Sequence, residues 1–445
     1  MNKRTKISKN DEAWEQLFNK HQILDKINST GQYIIKAEEI NTVREARLMT
    51  KIDHEYQLPK IFKDNGLSIL PISRGEYIIS KALTFTKIQS SQDCKIKEVE
   101  LPPFLESISP ENITSEAIAL NSAYAAGIIS DFLGEDSTYP TLSGRMGSGE
   151  FSFDIHSKEK SIINIHVDRA QMEIDACYEG ERWVCIIEAK NSFDDDFIIR
   201  QLYYPYRALT ARLKKSIRTV FFTYSNDIYH LREYQFDTPQ NYNSISFVGE
   251  KRYRIKRKDE EITINIESIQ NLAKSILNQQ EPEGIPFPQA DNFERIIYLC
   301  EIIHRNNSRY TKSDLSINSD FTLQDNFDPR QVDYYTNAAQ YLGLISKNVC
   351  NKKISYSLTP QGTDIFNTTD YSKRQLQLIR CILEHSSFRE TLNLYLHKAE
   401  IPNIEEIVQI MKNGNLYKVS ADSTYKRRAQ TVKSWVNWIV GTINE

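Results

Sequence analysis

The run Val184-Cys185-Ile186-Ile187 is continuously apolar and ends in Glu188-Ala189-Lys190. A strand that is apolar on both faces belongs inside a sheet covered on both sides. Charges at the end of such a strand sit where charge is costly unless something holds it. Upstream, Met172 to Tyr178 reads as a second strand, and Glu179-Gly180-Glu181-Arg182 reads as the turn of a hairpin joining the two. Folding the hairpin at its midpoint sets Asp175 opposite Glu188. Residues two apart on a strand share a face, so Glu188 and Lys190 point the same way. Two carboxylates and an ammonium therefore converge on strands that are otherwise apolar.

The surrounding sequence predicts a sheet for this hairpin to join. A helix from Ser115 to Phe132, with Thr114 as its cap candidate, comes first. Strand candidates follow at Glu150 to His156, Ile162 to Val167, Met172 to Tyr178 and Trp183 to Ala189. A helix around Ile198 to Leu213 and a strand at Thr219 to Thr223 complete a pattern of mixed sheet flanked by helices. At 445 residues the chain exceeds what one hydrophobic core usually serves, so an α+β multidomain protein is expected.

The domain boundaries follow from composition and period. Residues 1–100 read as an α+β module, helical at Trp14, Leu17, Phe18, Ile23 and Leu24, then extended at Tyr33-Ile34-Ile35 and Glu76-Tyr77-Ile78-Ile79. The module closes at the polar stretch Ser90-Ser91-Gln92-Asp93. Residues 101–280 carry the hairpin. Residues 281–290, through Glu281-Pro282-Glu283-Gly284-Ile285-Pro286-Phe287-Pro288, read as a linker. Beyond it lie two mainly helical sections, 291–370 and 371–445.

The charge grouping suits phosphodiester hydrolysis. Asp175 and Glu188 offer oxygen ligands to a hard cation such as Mg²⁺, with the Ala189 carbonyl as a further donor. Lys190 is placed to orient an attacking water and to offset charge in the transition state. On an exposed strand the same Glu-x-Lys would be a solvated ion pair; the apolar run before it argues against exposure here.

Asp175 with Glu188-Ala189-Lys190 resembles the signature of the PD-(D/E)xK nucleases, with Ile174 where the name has Pro. The resemblance implies a restriction-endonuclease-like core, in which Asp175, Glu188 and Lys190 are catalytic and Asp175 and Glu188 bind Mg²⁺. A helix before the sheet often adds an acidic ligand, and Glu116 matches by position. Glu116 is equally a first-turn charge favourable to the helix dipole. Gln201, in Arg200-Gln201-Leu202-Tyr203-Tyr204-Pro205-Tyr206-Arg207, is similar to a site-adjacent Gln on the following helix in some branches; helix packing accounts for it as well.

The N-terminal segments Arg44-Glu45-Ala46-Arg47-Leu48-Met49-Thr50-Lys51, Leu58-Pro59-Lys60-Ile61-Phe62 and Leu67 to Tyr77 resemble the opening of type II restriction enzymes. That implies Mg²⁺-dependent cutting of both strands of double-stranded DNA at a specific sequence, without ATP; the cytoplasm is the expected compartment for a sequence read without a signal-peptide core. It also implies a companion DNA methyltransferase that protects host sites. Cutting both strands favours a homodimer by symmetry. Arg44, Arg47, Lys51 and Arg74 are candidates for DNA contact and equally for plain surface charges.

Two later regions read as DNA-facing. Residues 291–370 resemble a winged helix, with helices at Glu294 to His304 and Gln331 to Leu342 and the close Leu358-Thr359-Pro360-Gln361-Gly362. The last helix carries Lys426, Arg427, Arg428, Gln430 and Lys433 in its first turns, residue types suited to base edges and phosphates. Residues 371–445 hold eleven Lys or Arg against seven Asp or Glu, in contrast to the net charge of −3 for the whole chain. The basic run Lys251 to Lys258 reads either as a strand facing phosphates or as an exposed hairpin.

Other chemistries find no support. The six cysteines form no Cys-x-x-Cys pair. The N-terminus, Met1 to Lys6, leads into charged sequence without the apolar core of a signal peptide, and the most apolar stretch, Ala117 to Phe132, is broken by Asn121 and Asp131, so no membrane partner is expected. Gly144-Arg145-Met146-Gly147-Ser148-Gly149 lacks the ending of a P-loop and reads as a loop before a strand. His156-Ser157-Lys158 opens a phospholipase-D-type motif that is not completed, and no His-Glu-x-x-His occurs. The competing readings are a DNA-binding regulator with an inactive nuclease fold and a DNA repair nuclease.

Overall fold

The computed structural model describes residues 8–91, 94–110, 113–191, 194–257, 263–277, 281–305, 309–311, 315, 331–350, 353–414 and 416–443. Met1 to Lys6, Gln92, Asp93 and Lys258, used in the sequence reading, lie outside the described residues.

Trp14, Leu17 and Phe18 fall on one face of the Lys9–His21 helix, which Ser8 and Asp11 cap reciprocally. Trp14 and Phe18 meet Phe62 edge-on, with centroids 4.9 and 5.2 Å away. Their core is closed by a small antiparallel sheet of β1 (Gln32–Lys36), β2 (Ser68–Pro71) and β3 (Glu76–Ser80) in the order β1-β3-β2.

Among the described residues the next eleven strands are β4 (Phe85–Lys87), β5 (Ile96–Val99), β6 (Tyr139–Gly147), β7 (Glu150–His156), β8 (Ile162–Asp168), β9 (Gln171–Glu179), β10 (Trp183–Lys190), β11 (Asp196–Ile198), β12 (Ser216–Ser225), β13 (Ile228–Phe236) and β14 (Ile245–Ile255). Seven of them form one mixed sheet, β5-β14-β13-β12-β10-β9-β6. The strand β10 lies inside it, antiparallel to β9 and parallel to β12. Parallel neighbours need a crossover, and the Arg200–Thr210 helix provides it. The apolar run of β10 is explained by this position. Val184 and Ile186 pack with Leu202 and Tyr203 of that helix, while Cys185, Ile187 and Ala189 pack with Ala119, Leu120 and Ile128 on the other face.

The helix expected over Ser115 to Phe132 is two helices, Glu116–Ala125 and Ile128–Leu133, because Gly127 turns the chain through a left-handed conformation at φ 72°. Its cap is Ser115, not Thr114: the Ser115 hydroxyl accepts the Ile118 N–H at 3.3 Å. The glycine-rich stretch from Gly144 is not a loop throughout. Gly144 to Gly147 end the edge strand β6, whose register with β9 shifts twice. The strands β7 and β8 form a two-stranded sheet of their own, with single bridges to Ser73 and Asn241, and pack Phe153 and Ile165 onto the crossover-helix side. The basic run from Lys251 ends an interior strand between β13 and β5. There Arg254 is paired with Glu98, and Arg257 just beyond it with Asp227, so these charges are internal ion pairs.

From Ile264 to Ile439 one apolar core runs through helices Phe293–Arg305, Val332–Tyr341, Pro360–Asn367, Tyr371–Leu383, Ser386–Lys398, Ile404–Lys412 and Asp422–Gly441. A small sheet of β15 (Tyr310–Thr311), β16 (Ile345–Cys350) and β17 (Lys353–Leu358) belongs to it. Phe287 and Ala290 of the proline-rich segment are buried in this core. Thr359 caps the Pro360–Asn367 helix, and Gly362 lies so close to Leu344 that a Cβ would come 2.1 Å from its carbonyl oxygen.

Candidate active site

The ladder between β9 and β10 stops at Ala176↔Ile187. At the next step the Asp175 side chain takes over from the strand: its Oδ2 accepts the Ala189 N–H at 2.8 Å. This substitution satisfies a buried backbone donor and fixes the carboxylate at the strand end. Glu188 is 6 % exposed, and its Oε1 accepts from Lys190 Nζ at 2.6 Å. The shared face expected for Glu188 and Lys190 is thus realised as a direct ion pair.

Glu116 opens the first helix of the pair, and its Oε1 accepts the Asn191 N–H, the residue after Lys190, at 3.3 Å. Gln201, on the crossover helix, donates from Nε2 to Asp53 Oδ1 at 3.3 Å. Asp53 comes from the N-terminal unit, and Lys190 is the strongest of the cations that hold it ionised.

Electrostatics follow from the crowding. Burial pushes the Glu188 carboxyl up to about 8, with the Asp175 charge adding to the effect and Lys190 only partly offsetting it. Burial also raises Asp175 against the opposing pull of Lys190 and the Ala189 N–H. Burial disfavours the Lys190 ammonium, but Glu188, Asp53, Asp175 and Glu116 outweigh it and keep the lysine firmly protonated. Burial likewise works against the Asp53 charge, and Lys190, His54, Arg200 and Lys51 overcome it and lower its pKa.

Among the described residues no three His, Cys, Asp or Glu side chains form a ready-made metal cage. A Mg²⁺ ion needs less, since it is commonly held by one or two carboxylates with water and phosphate oxygens filling the rest. Asp175 and Glu188, both destabilised as anions, are an all-oxygen pair that a hard cation would relieve. The donor set fits such an ion.

The structure brings Asp175, Glu188, Lys190, Glu116 and Gln201 together around the end of β10. The C-terminal candidates belong to a different core. Lys426, Arg427 and Gln430 are exposed on the Asp422–Gly441 helix, whose opposite face buries Ala429, Val432, Trp435, Val436 and Ile439. Lys433 is half-buried, and Arg428 donates to Gln289 Oε1 at 2.7 Å. Arg47, Lys51 and Arg74 are exposed, and Arg44 is half-buried. Sequence reasoning missed Asp53, His54 and Asp194-Asp195-Asp196. The run of three aspartates shortly after Lys190 was the available signal.

Three family models match the chain, each described as a domain of unknown function: DUF6996 over residues 11–79, DUF6997 over 80–254 and DUF7226 over 295–444. No curated protein and no solved structure matches the chain.

Proposed function

We propose that this protein is a Mg²⁺-dependent DNA endonuclease, a type II restriction enzyme cutting both strands of a specific duplex sequence without ATP. The observation that carries the reading is the meeting of Asp175, Glu188 and Lys190 at the end of a buried central strand. In this reading the seven-stranded unit is a restriction-endonuclease-like core, residues 291–370 are a winged helix, and the protein works in the cytoplasm. Among the described residues no helix is long and apolar enough to cross a membrane.

Each of these residues has a role in this reading. Asp175 and Glu188 would hold Mg²⁺, with Glu116 as a further candidate ligand. A bound Mg²⁺ would lower the pKa of a coordinated water and neutralise charge on the phosphate. Lys190 stays protonated, orients the attacking water and faces the charge that builds as the P–O bond breaks. Gln201 stands beside the site, and Lys426, Arg427, Arg428, Gln430 and Lys433 engage duplex DNA. The partners in this reading are a second copy of the chain during cutting and a DNA methyltransferase.

The test is direct. Purified protein is incubated with unmethylated phage-sized DNA and Mg²⁺, without ATP. Discrete fragments that vanish with EDTA are expected; a continuous ladder of products would mean a repair or non-specific nuclease. The lack of a three-residue cage among the described residues favours a second reading, a DNA-binding regulator with an inactive nuclease fold. A gel shift on uncut DNA, with no Mg²⁺ heat in calorimetry, would select it.

A further inference from the structure

Asp53 joins the β10 residues from a different unit of the chain, and its backbone is held from two sides. Its carbonyl accepts the Ile198 N–H at 2.8 Å, and its own N–H donates to Gln57 Oε1 at 2.8 Å. The next residue, His54, is clamped by the segment that follows Lys190. His54 Nε2 lies 3.2 Å from Asp194 Oδ2, and Nδ1 lies 2.6 Å from the Asp196 carbonyl. The ring also stacks flat on Tyr56 at 5.6 Å.

Asp195, in the bend between the two clamping residues, engages a different unit. Its carboxylate meets Arg295 Nη2 at 2.8 Å and accepts from Gln331 Nε2 at 2.9 Å. Three consecutive aspartates, four residues after β10, thus tie the N-terminal unit to the C-terminal core at one place. The side chain of Asp53, fixed by this joint, receives Gln201 Nε2 and lies within the electrostatic reach of Lys190.

We propose that Asp53 is a positioning residue of the β10 site, supplied by the N-terminal unit and fixed by the Asp194–Asp196 joint, which holds Gln201 by a hydrogen bond and adds its charge to the surroundings of Lys190. The inference rests on the nuclease reading for its consequence, but the surroundings of Lys190 can be read without any cleavage.

The experiment compares wild type, Asp53→Asn, Asp53→Glu and Lys190→Ala in the full chain. Asp53→Asn keeps the shape and removes the charge. It is expected to lower kcat at least tenfold, with KM, DNA affinity and Tm unchanged, and Asp53→Glu to recover part of the loss. In protein labelled with ¹³C-lysine, the Lys190 side-chain signal, assigned by its loss in Lys190→Ala, is expected to move in Asp53→Asn. An unmoved Lys190 signal overturns the inference whatever the cleavage rate. So does Asp53→Asn cutting at the wild-type kcat, or losing activity only in step with Tm. A wild-type protein that cuts nothing, or Lys190→Ala that cuts normally, sinks the nuclease reading instead, and the Lys190 signal then decides the inference alone.

Discussion

Asp175 does two things at once: it ends a β-ladder by accepting the Ala189 N–H, and it adds a carboxylate to a site already rich in them. Asp175→Asn keeps an acceptor for that N–H and removes a charge that crowds Glu188. Cleavage is expected to be abolished while stability holds or rises by about 1 kcal/mol, because like charges in a desolvated site oppose folding. Denaturant melts paired with gel assays check it, and wild-type cutting by this variant would remove Asp175 from the site.

His54 offers a pH test at the same scale. Burial alone would lower its pKa from the ordinary 6.5, but Asp194, Asp196 and Asp53 outweigh burial and raise it to about 9. A raised folded-state value means the stabilisation is fully present below about pH 6.5 and is lost as pH rises through about 9. The contribution is on the order of 3 kcal/mol. The wild type should therefore lose Tm from pH 6.5 to 9 more steeply than His54→Gln. Parallel curves for the two proteins would refute the clamp as an ion pair.

At the scale of elements, the close at Leu358 to Gly362 shows why a helix start carries this pattern. Thr359 accepts the Gly362 N–H at 2.9 Å, Pro360 needs no donor in the first turn, and Gly362 lets the helix approach Leu344. Gly362→Ala must push the helix off that carbonyl. A loss of about 1–3 kcal/mol is expected from the overpacking, read as a lower Tm. The Asp422–Gly441 helix makes a different case, since its buried face is structural while Lys426 and Arg427 are exposed on its first turns. Lys426→Ala with Arg427→Ala should weaken duplex binding and flatten its salt dependence while Tm stays put. Unchanged affinity would move DNA recognition elsewhere.

At the scale of the whole molecule, the central sheet and the C-terminal core are fastened through the β12–β13 turn. Asn226 and Asp227 adopt positive φ there, and Asp227 Oδ2 receives Arg374 at 2.9 Å and Arg257 at 3.1 Å. Burial works against the Asp227 charge, and the two guanidiniums outweigh it and hold the carboxyl below its usual range. Removing one partner of a buried pair strands the others, typically at about 3–5 kcal/mol. Asp227→Ala is expected to split calorimetric unfolding into two transitions, as the two bodies lose their shared network. A single transition at the wild-type Tm would show that the network does not couple them.

Much of the site was legible because it is local. The hairpin turn at Gly180, the apolar run before Glu188 and the two-residue spacing to Lys190 are properties of one stretch of chain, and period-two geometry brings their charges to one face. Glu116 and Gln201 were legible by position on the flanking helices, although only the fold brings them to the end of β10. The sheet order, the break at Gly127 and the separate sheet of β7 and β8 were not legible, because each depends on what packs against the strand. Asp53 and the aspartate joint were hidden most deeply. Residue 53 lies far from residue 190 in the chain, and nothing local distinguishes its carboxylate from a solvated one. Only the docking of the N-terminal unit half-buries it beside Gln201, and partial desolvation turns an ordinary surface charge into part of a site.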